Sequence, residues 1–118
     1  MCEKCNFISG VFELINSDKS DNINQHRNFT PTFFLLKHFE KWGDIELYAG
    51  DCTTKEFDET EDKETHYTWC FYFKCKTCGK YFFIGACIRG TPIYKIYDKL
   101  TSEDLRILWG KSGTYFER

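Results

Sequence analysis

The sequence predicts an α+β fold in which an antiparallel sheet, built around a central hairpin, packs against one amphipathic helix. Three observations lead to this prediction: two segments that alternate apolar and polar residues, an apolar stripe at helical spacing, and a C-x-x-C motif between the alternating segments. Apolar residues make up 42% of the 118 residues and aromatic residues 19%, which is enough for a core in a single domain spanning residues 1–118.

The helical stripe lies in the sequence TPTFFLLKHFEKWG. Thr30 can cap a helix, Pro31 suits its first position and Gly43 suits the position just after its end, so we predict a helix over about residues 31–42. Its apolar face is expected to join the core and consists of Leu35, Leu36, Phe39 and Trp42.

Two segments carry no periodic pattern. Residues 16–28 are polar, and residues 51–64 are acidic, so both are expected to form exposed loops. Residues 44–49 alternate weakly and predict a short strand before the acidic segment.

The hairpin is predicted from residues 66–74 and 81–88, whose apolar positions recur at every second residue. A turn centred between these segments would bring their apolar faces to the same side of the hairpin, as a single buried face requires. The expected cross-strand pairs are Phe73 with Phe82, Phe71 with Ile84, and Trp69 with Ala86.

A third strand and a short helix are predicted after the hairpin. The sequence TPIYKIYD follows a glycine turn and reads as a strand. Thr101 then lies three residues before Asp104, the spacing of a capping box, and Gly110 suits a helix end. We therefore predict a short C-terminal helix over about residues 102–109.

The seven cysteines are expected to be metal ligands or buried thiols. The first residues, MCEKCNFISG, carry charges where a secretory signal would be apolar, so a cytoplasmic location is expected, where disulfides are rare. No apolar run is long enough to span a bilayer, so no membrane partner is expected.

Two C-x-x-C pairs predict a structural zinc ion as the cofactor. Four thiolates can surround zinc in a closed tetrahedron, and the predicted ligands are Cys2, Cys5, Cys75 and Cys78. These two motifs resemble the paired cysteine knuckles, tight turns that each supply two ligands, of the zinc ribbon class. The resemblance covers residues 1–6 and 73–83, and about 70 residues separate the pairs, so the N-terminus must fold back beside the hairpin. Two alternatives remain: ordinary thiols, or a redox pair at the hairpin turn, which the flanking strands disfavour.

The remaining cysteines, Cys52, Cys70 and Cys87, are expected to be small, half-buried apolar residues, with a second metal site including His66 as the alternative. The histidines are scattered, and no catalytic metal, nucleophile or phosphate-binding motif occurs in the sequence. We therefore expect a protein that is not an enzyme.

The first functional hypothesis is a zinc-stabilised, protein-binding module. Seven acids and two lysines lie between Asp51 and His66, and an acidic loop on a rigid scaffold could occupy a basic surface of a toxin or another enzyme. The small, aromatic-rich chain resembles bacterial immunity proteins in size and composition, which implies an inhibitor. The predicted partner-binding residues are Glu56, Asp58, Glu59, Glu61, Asp62 and Glu64.

The alternative hypothesis is a zinc ribbon that binds nucleic acid through its hairpin. Lysines would contact phosphates and exposed aromatic rings would stack on bases. The residues predicted for this role are Lys74, Lys76, Lys80, Arg89, Tyr72 and Tyr81. The formal net charge of −2 lacks the basic character expected of such a protein, and the lysines could instead offset the −2 charge of a zinc–tetrathiolate centre.

Overall fold

The structure is a computed structural model that describes residues 2–17, 22–63, 66–87 and 91–117; the side chains of Lys4, Ser17 and residues 22–28 lie outside the description. Helices and strands alternate irregularly along the chain, as expected for the predicted α+β class, which is confirmed. Their order is α1 (Glu3–Ser17), α2 (Asn22–Lys41), β1 (Ile45–Gly50), α3 (Thr54–Asp62), β2 (Thr68–Cys75), β3 (Tyr81–Cys87), β4 (Ile93–Tyr97) and a short 3-10 helix (Asp104–Ile107).

The four strands form one antiparallel sheet in the order β1-β2-β3-β4. Strands β2 and β3 form the predicted hairpin, and its register is confirmed. The observed pairs include Phe73 with Phe82, Phe71 with Ile84, and Trp69 with Ala86. Because side chains alternate between the two faces of a strand, this register places all six side chains on one face.

The helices cover that face of the sheet. Helix α1 contributes Ile8, Phe12 and Ile15, whose spacing of three and four residues places them on one side of the helix. The helical side of the core is completed by Phe33 and Leu36 of α2 and by Phe57 of α3. The packing is largely between aromatic rings: Phe12 meets Phe82 edge-on with ring centroids 6.0 Å apart.

The opposite face of the sheet is covered by the chain after β4. Tyr72 and Phe83 lie there at 2% and 6% exposure, packed at a centroid distance of 4.8 Å. The side chains that cover them come from an irregular segment and consist of Leu100, Leu105, Leu108, Tyr115 and Phe116. The sheet therefore lies between a helical layer and an irregular C-terminal layer.

The C-terminal segment also pairs with the free edge of β1. Gly50 and Ser112 exchange two backbone hydrogen bonds of 2.7 and 2.9 Å. The N–H groups of Thr114 and Tyr115 then donate to carbonyls of the same strand at 2.8 and 2.7 Å. These bonds satisfy groups that an uncovered edge would expose to other chains.

Hydrogen bonds to the buried side chain of Asp51 also hold the C-terminal segment on the sheet. Its side chain, 4% exposed, accepts hydrogen bonds from the backbone N–H groups of Cys70 at 2.7 Å, Trp109 at 2.7 Å and Gly110 at 3.2 Å. Burial raises the pKa of Asp51, and the three N–H donors act in the opposite direction by favouring the carboxylate. A Cβ atom at Gly110 would lie 1.7 Å from the carbonyl oxygen of Asp51, so the close approach requires glycine at that position.

The structure corrects the predicted helices. Helix α2 begins at Asn22 with Pro31 in its interior, so the prediction of a loop is wrong for residues 22–28. That loop prediction is also wrong for residues 16–17, which belong to α1, and residues 18–21 lie outside the described part of the chain.

Two further differences concern burial and the C-terminus. Trp42 was expected in the core but is 64% exposed, because α2 ends at Lys41 and the indole lies beyond its buried face. The C-terminal helix is confined to Asp104–Ile107, although the reciprocal hydrogen bonds predicted between Thr101 and Asp104 are present.

Candidate metal centre and binding surfaces

Four cysteines converge where the start of α1 meets the turn between β2 and β3. Cys2 immediately precedes α1 and Cys5 lies in its first turn, while Cys75 ends β2 and Cys78 lies in the following turn. Gly79 closes that turn with a φ of 80°, a left-handed conformation that glycine adopts without strain. The fold therefore brings together two pairs of cysteines that are separated by about 70 residues of sequence.

The sulfur atoms lie close enough to hold one metal ion. The Sγ atoms of Cys2 and Cys75 are 3.5 Å apart, and those of Cys5 and Cys78 are 3.1 Å apart. All four lie within 4.8 Å of one another. A tetrahedral zinc site with Zn–S bonds of about 2.3 Å has sulfur–sulfur separations of about 3.8 Å, which fall inside this range.

Backbone N–H groups around the cluster favour thiolates. The sulfur of Cys2 accepts a hydrogen bond from the N–H of Cys5, and this bond lowers the pKa of Cys2. Burial acts to raise the pKa of Cys78, but the N–H groups of Cys2 and Lys80 and its sulfur neighbours lower it to about 6. Hydrogen bonds to the charged form lower a thiol pKa, as a metal ligand set requires.

The buried cysteine inside the cluster has a raised pKa, in contrast to Cys2 and Cys78. Cys5 is fully buried, and the loss of hydration raises its pKa far above the ordinary value. Without a cation beside it, the buried sulfur of Cys5 would keep its proton. A divalent ion would remove that conflict, because a coordinated thiol is deprotonated.

The N-terminal pair differs from the expected ribbon arrangement. Cys75 and Cys78 flank a hairpin turn as predicted, but Cys2 and Cys5 open a helix of 15 residues. The spacing of one helical turn brings both sulfurs to the same side of the first turn. The likeness to a zinc ribbon thus extends to the cysteine cluster and the hairpin and does not include the N-terminal element.

Cys52, Cys70 and Cys87 do not join a second cluster. Within the described parts of the chain, the four cysteines above form the only group of His, Cys, Asp and Glu side chains close enough to hold a metal. Burial raises the pKa of Cys52 to about 11 and that of Cys70 to about 12. His66 instead stacks on Trp109 with a centroid distance of 3.6 Å.

The acidic segment is a helix, so the prediction of a loop is wrong for most of its length. Thr53 and Glu56 form a capping box, in which each side chain bonds to the backbone N–H of the other, and this starts α3. Five predicted partner-binding acids lie on α3 and all are exposed: Glu56, Asp58, Glu59, Glu61 and Asp62. Glu64 lies outside the described residues.

The hairpin residues proposed for nucleic-acid contact are mostly engaged within the protein. Lys74 lies 5.9 and 5.7 Å from the ring centroids of Tyr48 and Tyr81, and Lys80 forms an ion pair with Asp98. Lys76 is exposed on the turn.

Tyr72 cannot stack on a base in this structure. It is 2% exposed, and its hydroxyl donates a hydrogen bond to the carbonyl of Asp104. The expectation that Tyr72 would be exposed is therefore wrong. Arg89 lies outside the described residues.

Sequence reasoning missed two recesses beside α3. One, of about 210 Å³, has Phe29, Phe57, Glu61 and Trp69 in its wall. The other, of about 200 Å³, shares the first three of these residues and has Lys37 in its wall but not Trp69. The capping-box spacing of Thr53 and Glu56 was the signal that could have revealed α3 and hence this surface.

Comparison with protein-family models, with curated proteins and with solved structures found no match to this chain. Within the described residues, no helix has the length and apolar character needed to cross a membrane. The cysteine cluster, the acidic helix and the adjacent recesses are therefore the features on which a function has to be argued.

Proposed function

We propose that this protein is a zinc-stabilised protein-binding module that presents an acidic helical surface to a basic partner. The single observation that supports the zinc centre is the convergence of four sulfurs within 4.8 Å. Thiolates would fill every position of a tetrahedral ion and leave none for water or substrate, so the proposed role of the metal is structural. The proposed function is accordingly binding and not catalysis.

The zinc centre is tested by metal analysis of the purified protein. We expect one zinc per chain, and we expect Cys75→Ser to release it because three sulfurs no longer close the tetrahedron. Cys87→Ser is the matched control, since Cys87 is a part-exposed thiol that the cluster does not include. Purified native protein that contains no zinc, or equal zinc loss in both variants, would contradict the proposal.

The binding surface is supported by the charge pattern of α3. Its last turn contains Glu61 and Asp62 and no basic residue, so acids lie at the helix end where the macrodipole is already negative. This placement destabilises the helix, typically by about 0.3–1 kcal/mol per charge at an exposed site. Residues that weaken their own helix are easier to explain by a role in binding than by a role in folding.

The contacts of α3 make this surface rigid. Thr54 of α3 donates a 2.6 Å hydrogen bond to Glu40 of α2, and Asp58 is 3.6 Å from the ammonium group of Lys37. Phe57 anchors the helix in the core at 2% exposure. A preorganised acidic surface loses little conformational entropy on binding and accelerates association with a positive partner surface. A basic cleft of an enzyme or toxin has this character, and blocking one would make the protein an inhibitor of the immunity type.

The acidic surface is tested by titration with octalysine, a peptide of eight lysines, at low ionic strength. We expect the double variant Glu59→Lys, Asp62→Lys to weaken binding at least about tenfold, because two attractive charges become repulsive. The matched control is Glu13→Lys, Glu117→Lys, which changes the net charge equally at exposed acids elsewhere. Equal losses in the two double variants would indicate a response to net charge and contradict a specific surface.

A further inference from the structure

Two neighbouring recesses flank α3 and share part of their walls. Both are lined by Phe29, Thr30, Phe57 and Glu61. The first recess is completed by Trp69, Ala86, Cys87 and Pro92, and the second by Phe33, Phe34, Lys37 and Asp58. The two spaces thus offer similar aromatic walls and differ mainly in their charged residues.

The second recess already contains a cation from the protein itself. The ammonium nitrogen of Lys37 lies 5.8 Å from the ring centroid of Phe33 and 3.6 Å from a carboxylate oxygen of Asp58. An aromatic ring and a carboxylate together hold the charged end of this lysine. The contacts of Lys37 thus show, within the protein itself, how the surface beside α3 holds an alkylammonium group.

Among the described residues, the first recess has the same two components without a cation. Its rings are in contact, since Phe57 lies 6.0 Å from Phe29 and 5.7 Å from Trp69 by centroid distance. Glu61 is the only charged residue in its described wall. Partial burial and the charges of Asp58 and Asp62 raise the pKa of Glu61.

We propose that the first recess binds the alkylammonium side chain of a lysine on the basic partner, with Glu61 as its counter-ion and the aromatic wall around its stem. This inference rests on the proposed function, because the lysine belongs to the surface that faces α3. A volume of about 210 Å³ suits a four-carbon chain with one ammonium group. In this arrangement the acidic helix steers the partner, and the recess anchors one of its side chains.

The test uses butylammonium as a lysine side-chain probe and the indole N–H signals of the three tryptophans as reporters in nuclear magnetic resonance. The Trp69 indole nitrogen is buried and has no hydrogen-bond partner among the described residues, so its signal should respond to a ligand in the adjoining recess. We expect butylammonium to shift the Trp69 signal in a saturable manner and to leave those of Trp42 and Trp109 in place.

Two controls separate charge from apolar contact. Butanol has nearly the same shape and no charge, and we expect no saturable shift with it. Glu61→Gln should weaken butylammonium binding at least about fivefold, while Glu59→Gln, on the same helix but outside the recess wall, should change it less than about twofold. Equal responses to butanol and butylammonium, or equal effects of the two variants, would overturn the proposal.

Octalysine separates this inference from the proposed function. If octalysine binds the acidic surface and shifts the Trp69 signal, both are supported. If it binds without shifting Trp69, the recess proposal fails and the acidic surface stands. If butylammonium binds through Glu61 but octalysine does not bind at all, the recess takes small amines and the proposed function fails.

Discussion

The N-terminal helix and the C-terminal segment are both attached to the same sheet, but by different chemistry. Helix α1 meets the β2–β3 turn through four sulfur atoms that lie within 4.8 Å. The C-terminal segment meets β1 and β2 through backbone hydrogen bonds and the buried carboxylate of Asp51. In the proposed zinc-bound protein, the first attachment depends on an ion that can leave, and the second depends only on the chain.

This difference has a consequence for how each region responds to stress. Metal affinity depends on pH and on competing chelators, because the ligands must lose protons to bind. A carboxylate that accepts three N–H bonds has no such external partner, and its loss leaves buried donors unsatisfied. The two ends of the described chain should therefore loosen under different conditions.

Chelation should have the largest effect and should act on α1 first. Zinc at about a thousand times its dissociation constant stabilises a protein by about 4 kcal/mol, and a chelator removes that contribution. We expect amide hydrogen exchange to rise first in the opening turns of α1, from Cys5 to Ser9, because Phe12 and Ile15 still pack on the sheet. Residues 109–117 should keep their protection.

The outcome also decides whether the two attachments are independent. A simultaneous rise in exchange at both ends would show that the metal supports the whole fold and not one helix. Zinc added back after chelation should restore protection in α1, which excludes irreversible damage as the cause.

Asp51→Asn should have a smaller effect and should act on the C-terminal segment. The amide group turns one acceptor into a donor opposite an N–H group of Cys70, Trp109 or Gly110, and an unsatisfied buried donor costs about 1–3 kcal/mol. We expect urea unfolding to show this loss, faster exchange over residues 109–117 and unchanged zinc content. The control is Asp98→Asn, which removes a carboxylate that is 77% exposed and should change stability by less than about 1 kcal/mol.

The hairpin could be predicted in detail because its two strands carry independent patterns that agree only in one register. Phe73 and Phe82 form the core-facing pair nearest the turn, and a slip by one residue would place the apolar side chains on opposite faces. The paired C-x-x-C motifs were equally informative, because two such motifs in one chain indicate a shared site for a tetrahedral metal ion. The cysteine cluster and the register were the parts of the fold that the sequence specified best.

The missed helices had weaker signals. Helix α1 carries its buried residues at Ile8, Phe12 and Ile15, a spacing that is typical of a helix but that covers only about two turns. Helix α3 buries only Thr54 and Phe57, so its pattern is too short to show a period. The main local signal of α3 is therefore the capping box of Thr53 and Glu56.

The segment that covers the second face of the sheet was beyond sequence reasoning. Phe83 lies between the core residues Phe82 and Ile84, and such a continuous apolar run is typical of a strand buried on both faces, but it does not show what covers the second face. Tyr72 and Phe83 are buried by a segment that has little regular structure and that is positioned by Asp51 and by the edge of β1. Long-range contacts of this kind leave no periodic trace in the sequence.

The separation between the paired sulfurs has a consequence in time. Cys2 and Cys75 are 73 positions apart in the chain, as are Cys5 and Cys78. At about 5–20 residues per second, a ribosome needs roughly 4–15 s to make that stretch. The first pair of thiols must therefore be made, and remain unoxidised and without its full ligand set, for seconds before the hairpin that completes the site exists.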